Sequence, residues 1–179
     1  MATSCGSAPS ARPSAQPPDR HVRDNARVRV SAKVDYALRA AVELAALEDQ
    51  WPVKGERLAS GQDIPLRFME NILGELRQSG IVASKRGAEG GYLLARPPAE
   101  IALADVIRAV DGPLANIGGL RPDQLEYTGT AGPMREIWVA VRSALRSVLE
   151  TTTLADVASG ELPPAITATT ADPDAWAWR

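Results

Sequence analysis

"SKRGAEGGYLLAR", Ser84–Arg96, sets two adjacent cations, Lys85 and Arg86, in front of a glycine-studded turn and runs on as an apolar, strand-like segment. Gly87, Gly90 and Gly91 let the chain reverse within a few positions, because glycine tolerates backbone angles that other residues avoid. Ile81 to Arg86 and Tyr92 to Arg96 are short and apolar enough to be the two arms of a β-hairpin. A cationic hairpin tip can hold phosphate, enter a nucleic-acid groove, or stand as an ordinary solvated turn. What precedes it decides among these.

Upstream, Lys54 to Ser60 reads as a short helix with Leu58 and Ala59 inward, closed by Gly61. Asp63 can cap a further helix that begins at Pro65, a good first-turn residue, and stops at Ser79-Gly80. Its apolar stripe is Met69, Ile72, Leu73 and Leu76. Short helix, tight turn, second helix and hairpin make a winged helix-turn-helix, in which the second helix lies in a DNA major groove while the first braces it. The opposite face of that second helix offers Arg67, Phe68, Asn71, Glu75 and Gln78. Arginine and asparagine make paired hydrogen bonds to guanine and adenine edges, and Phe68 either meets a thymine methyl or packs inward. In the hairpin, Arg86 suits a narrow minor groove, Gly87 lets the backbone approach the sugar-phosphate wall, and Lys85 touches phosphate. Lys33, at the start of an earlier helix, is a further phosphate contact.

That earlier helix follows Ser31 as N-cap, with Val34, Ala37, Leu38, Ala41, Leu44, Ala45 and Leu47 at helical spacing, and ends before Trp51-Pro52. Beyond the hairpin, Leu103, Val106, Ile107 and Val110 mark a fourth helix stopped by Gly112-Pro113; a polar loop and a long helix, Pro133 to Thr151, come next. In the long helix Met134, Trp138, Val141, Leu145 and Val148 step by four, three, four and three, the spacing of a seam between helices. A bundle core within one chain has the same stripe, so the stripe alone fits either. The fold expected is mainly α with a small β-hairpin wing and a long C-terminal dimerisation helix. It divides into a disordered extension (1–27), a winged helix-turn-helix (28–98), a regulatory loop with dimerisation helices (99–160) and a flexible tail (161–179). Val28 or Val30 is a candidate natural start, and Trp176 and Trp178 are candidates for docking the tail.

Composition narrows the function classes. Of 179 residues 45% are hydrophobic and only 4% aromatic, which favours helices packed by Ala, Leu and Val. There is no apolar run long enough for a membrane span and no signal-like N-terminal segment, so a cytoplasmic protein is expected. The net charge of −2 conceals an uneven spread, with five arginines against two aspartates in residues 1–30. Asp105 and Asp111 straddle the fourth helix, Asp105 reading as solvated and Asp111 as the residue before a Gly-Pro stop, and Arg142 and Arg146 read as a solvated helix face. With the only histidine, His21, in the extension, no Ser-His-Asp set can be assembled, and no phosphate-cradling loop followed by Lys-Ser/Thr is present. An enzyme is not expected.

"SAKVDYALRAAVELA", "LASGQDIPLRFMENILGELRQSGIVASKRGAEGGYLLARP" and "IALADVIRAVDGPL" together resemble the Rrf-two family of bacterial winged-helix regulators, from about Val30 to Ser159. The resemblance implies a recognition helix from Pro65 onward in the major groove, an Arg86-Gly87 wing in the minor groove, and a homodimer joined along the long helix. Several relatives hold an iron–sulfur cluster with three cysteines in the loop before that helix. Here the loop, "ANIGGLRPDQLEYTGTAGPM", has none, and the single cysteine is Cys5. No metal and no cofactor are expected, since thiolates are the usual cluster ligands. The reading is a dimeric repressor on a pseudo-palindromic operator in double-stranded DNA, answering to a small-molecule or protein effector. The alternative is a winged-helix module that docks on another protein, with DNA binding incidental.

Overall fold

The computed structural model of the chain describes residues 30–117 and 119–177. The expected disordered extension, the Val28 start, Cys5, His21 and Trp178 lie outside the described residues. Helix α1 (Ala32–Ala46) is the spine of the body. Ser31 is extended and its hydroxyl accepts from the Val34 amide at 3.2 Å, as an N-cap should. Ala37, Ala40, Ala41 and Leu44 are fully buried, and the small size of the three alanines lets α3, α4 and α6 all approach the same helix.

Helices α2 (Gly55–Gly61) and α3 (Leu66–Gln78) form the helix-turn-helix. The turn differs from expectation in detail. Gly61 is the last helical residue rather than the bend, and the left-handed position is Asp63, at φ 51°, which therefore does not cap α3. Aspartate is among the few non-glycine residues that enter this region readily. Pro65 is the N-cap of α3, one position earlier than its expected first-turn place. The turn is held from α1: Arg39 donates to the Gln62 side chain at 3.2 Å and also to the Gln62 carbonyl, and Gln62 donates to Glu43 at 2.6 Å.

Strands β1 (Val82–Lys85) and β2 (Gly91–Leu94) pair antiparallel, with Val82 opposite Leu94 and Lys85 opposite Gly91. Val82 and Leu94 are buried and root the hairpin in the core, while its far end is exposed. Helix α4 (Leu103–Asp111) stops at Gly112, where φ is 83°. Helices α5 (Met134–Leu149), α6 (Leu154–Ser159) and α7 (Pro164–Thr170) complete the regular elements. Met69, Leu73, Leu76, Ile101, Val106 and Leu154 belong to one hydrophobic cluster, so α4 and α6 share the core of the winged body across the expected boundary at 98/99. Each such buried leucine contributes roughly 1.5–3 kcal/mol over exposure.

The last segment is not featureless: α7 and a 3-10 turn at Pro173–Trp176 are formed, although neither buries a residue. Trp176 stays 74% exposed, its indole N–H donating to the Thr170 carbonyl at 2.8 Å. The long helix α5 likewise buries no residue, so among the described residues its stripe is not the closed core of a bundle. Trp138, Val141, Leu145 and Leu149 are half-buried, whereas Met134, Ile137, Ala144 and Val148 are exposed.

Of the two arginines expected to form a solvated face, Arg142 instead ties α5 to the preceding loop, whereas Arg146 is exposed as expected. Arg142 and Arg121 both bind the Asp123 carboxylate at 2.9 Å, and Arg135 donates to the Asp123 carbonyl at 3.0 Å. At the other end Arg146 pairs with Glu150 at 3.0 Å, and Glu150 also binds Arg108 of α4. Asp105 is no solvated bystander either: it accepts from the Ala102 amide and pairs with Arg96 and Arg108. Burial acts to raise the Asp123 pKa, but its own backbone N–H, Arg121 and Arg142 outweigh it and the net shift is downward. Glu150 is lowered by the Arg108 hydrogen bond first and by Arg146, against desolvation, and Asp156 by the Thr153 amide and hydroxyl. Lowered folded-state values mean that this stabilisation is complete above the ordinary 3.8 and 4.5 and is lost as pH falls through the folded values. The melting temperature should accordingly fall from pH 5 downward. Asp123→Asn should melt lower at pH 7 and show a shallower acid slope; an unchanged slope would remove Asp123 from the acid-sensitive set.

Candidate nucleic-acid interface

The apolar stripe of α3 is buried as its period demands, which turns Arg67, Phe68, Glu70, Asn71, Arg77 and Gln78 outward, all exposed. Phe68 is 58% exposed, so of the two readings open to it the inward one is excluded. Glu75 is half-buried and forms an ion pair with Lys33 at 2.7 Å. The Lys33 ammonium also donates to the Val110 carbonyl at 2.8 Å, at the C-terminal end of α4. Expected as a phosphate contact, Lys33 is exposed and also acts as a strut between α1, α3 and α4, so a phosphate would share it with Glu75.

Lys85, Arg86 and Gly87 are exposed at the hairpin end. The three glycines have different reasons for being there. Gly87 has φ 106°, a conformation that side chains disfavour. Gly90 does not: a Cβ there would lie 2.2 Å from the Lys85 carbonyl oxygen, and the tight turn closes by Gly90 N–H donating to the Gly87 carbonyl at 2.9 Å. At Gly91 a Cβ would lie 2.5 Å from the Val53 carbonyl oxygen. This space is needed because Val53 and Tyr92 exchange two backbone hydrogen bonds of 2.8 Å, adding the segment before α2 to the hairpin as a third ribbon. Next to it, Lys54 donates to the Ala88 carbonyl and ties down the turn itself.

Between α3 and the hairpin lies a hollow of about 330 Å3, whose lining includes Lys54, Glu56, Glu70, Arg77, Lys85 and Arg86. Glu70 and Arg77 of α3 thus border one concavity with Lys85 and Arg86 of the hairpin, whereas Arg67, Phe68 and Asn71 are exposed outside it. Lys54 and Arg77 were not singled out from sequence. The i,i+7 spacing of Glu70 and Arg77 places both on one edge of α3, a signal that identifies the wing-facing side only once the hairpin is in place.

An exposed helix, braced across a tight turn and flanked by a cation-tipped hairpin, defines a winged helix-turn-helix DNA-binding protein. The chain belongs to the Rrf2 family, whose model, described as iron-dependent transcriptional regulator, matches residues 30–160. A Mycobacterium tuberculosis protein named as an HTH-type transcriptional regulator, Rv1287, is 49% identical over 136 residues, 76% of this chain and 84% of that one. CymR of Bacillus subtilis, an HTH-type transcriptional regulator, is 33% identical over 132 residues, 74% of this chain and 91% of its own. The solved structure of CymR, the global cysteine regulator of B. subtilis, superposes with a TM-score of 0.65 at 34% identity, covering 75% of this chain and 98% of that one. That of T. potens IscR gives 0.59 at 28% identity, covering 85% and 93%. The protein is a DNA-binding transcriptional regulator and not an enzyme. Among the described residues no helix is long and apolar enough to cross a membrane.

Proposed function

We propose that the protein is a homodimeric, cytoplasmic repressor that reads a pseudo-palindromic operator overlapping a promoter. The observation that carries this reading is the hollow between α3 and the hairpin, where Lys54, Arg77, Lys85 and Arg86 outnumber Glu56 and Glu70. A duplex that receives α3 in its major groove and Arg86 in the adjacent minor groove must run its backbone between the two, where Arg77 and Lys85 are exposed to phosphate and Lys54, which also holds the Ala88 carbonyl, has further N–H groups to offer. Pro65, Arg67, Phe68 and Asn71 take the major-groove positions, and Arg86 with Gly87 the minor groove.

The dimer reading is supported by α5. Met134, Ile137, Val141, Ala144 and Val148 step by three, four, three and four and form one strip, open to solvent except at half-buried Val141. Trp138 and Leu145, also expected in the seam, are half-buried on the flank that leans toward the chain's own body. The refined seam thus gains Ile137 and Ala144, and Trp138 and Leu145 serve as its inner shoulder. A two-fold pair along it would present two reading heads to two half-sites about one helical turn apart.

An iron-dependent regulator, as the family model is described, needs a set of metal ligands. Among the described residues no three His, Cys, Asp or Glu side chains group to hold a metal, and the loop from Ala115 to Pro133 has neither cysteine nor histidine. That donor set does not fit a cluster held in this loop. The signal is then a small molecule or protein that favours one placement of the two heads over another.

Titrating promoter DNA against salt tests the reading. Each phosphate neutralised contributes about 0.9 to the log–log slope. Lys54→Ala and Arg77→Ala should each flatten the slope by about that amount and weaken all sequences alike. Unchanged slopes would take the backbone out of the hollow. No footprint at any promoter, even at low salt, would favour the protein-docking alternative.

A further inference from the structure

We infer that Phe68 and Asn71 act together as a reader of A·T base pairs in each half-site, Phe68 covering a thymine 5-methyl group and Asn71 grasping an adenine edge. This rests on the DNA-reading function proposed above and assigns the bases it selects. Phe68 is the only phenylalanine in the chain, and it sits in the first turn of α3 with 58% of its surface in water. Nothing in the chain's core uses it. In a major groove the thymine methyl is the apolar group that a base-pair edge offers to such a side chain.

Asn71 lies three residues further on, exposed on the same face. Side chains at i and i+3 have Cβ atoms about 5–6 Å apart. Stacked pairs are separated by about 3.4 Å, so the two residues address the same or neighbouring pairs. An asparagine amide matches N6 and N7 of adenine, which is the partner of thymine. Glu75 lies two turns beyond Phe68 on the same line and is the group there suited to accept from a cytosine amino group. Its pairing with Lys33 at 2.7 Å withdraws it from that use. The line along this edge of α3 thus keeps an apolar contact and an adenine contact and loses a cytosine contact.

The test begins with a duplex selected from a random pool by the full-length protein. Deoxyuridine is then placed at each thymine in turn, which deletes the methyl and nothing else. At one position per half-site the exchange should weaken binding about fourfold, the value of one buried methylene-sized group. Phe68→Ala should bind the thymine and uracil duplexes alike while melting at the wild-type temperature, and Phe68→Leu should retain part of the difference. In the same or the next pair 7-deazaadenine, which lacks the N7 acceptor, should weaken the wild type roughly tenfold and leave Asn71→Ala unaffected. A selected duplex bound equally in thymine and uracil forms, or a Phe68→Ala protein that keeps the full ratio, would overturn this inference alone. Failure to select any duplex would overturn the DNA-reading proposal and this one with it.

Discussion

Ile137→Asp should turn the proposed dimer into monomers and weaken operator binding by roughly 10²–10⁴-fold, the advantage lost when two linked half-site contacts become one. The position separates assembly from folding. Ile137 is 55% exposed in the single chain, so a carboxylate there stays hydrated and the fold is kept. In a two-fold seam each introduced carboxylate would lose water opposite or near its mate, and an unpaired buried charge is strongly unfavourable. Light scattering should give the monomer mass with an unchanged far-ultraviolet spectrum. A dimer that survives would move the interface off the strip from Met134 to Val148.

Gly91→Ala should cost on the order of 2–4 kcal/mol and lower the melting temperature by roughly 5–15 °C, through overpacking and a damaged backbone pair. Its new Cβ would stand 2.5 Å from the Val53 oxygen and 2.7 Å from the carbon of the same carbonyl, backbone atoms that cannot rotate away. The segment before α2 would have to separate from Tyr92, and Arg86 would swing with the loosened hairpin. Operator affinity should therefore fall even at temperatures where the body remains folded. Gly74→Ala supplies the contrast. It lies inside α3 with nothing within 4 Å of the added carbon, so it should gain up to about 1 kcal/mol from helix propensity. If both alanines behaved alike, the close approach at Val53 would not be the reason for Gly91.

Most of the helix-turn-helix and its hairpin could be read from sequence because they rest on local signals. Met69, Ile72, Leu73 and Leu76 repeat at 3.6 residues and all are buried. Ser31 caps α1, and Gly112 ends α4, as the residue types suggest. What escaped depends on partners distant along the chain. Lys33 looks like a free cation until α4 places the Val110 carbonyl beside it, 77 positions later. Arg142 looks solvated until the loop brings back Asp123. Glycine at 90 and 91 was read as backbone freedom, whereas both positions are governed by space, which requires knowing what stands opposite. Phe68 was undecided because position 68 lies at the margin of the apolar arc, where period alone does not choose a side.

Leu154 of α6 is fully buried in the same cluster as Leu44 and Leu73, and Leu103 donates to the Thr152 carbonyl at 2.9 Å. The polypeptide therefore leaves the head after Gly112, runs out through the loop and α5, and returns to finish the head. Sensing parts exchanged between relatives would have to be swapped as an internal cassette with two splice points, and a gene fragment stopped at residue 112 would encode an open, unfinished head. During synthesis, too, the core of the head stays open until α6 has left the ribosome.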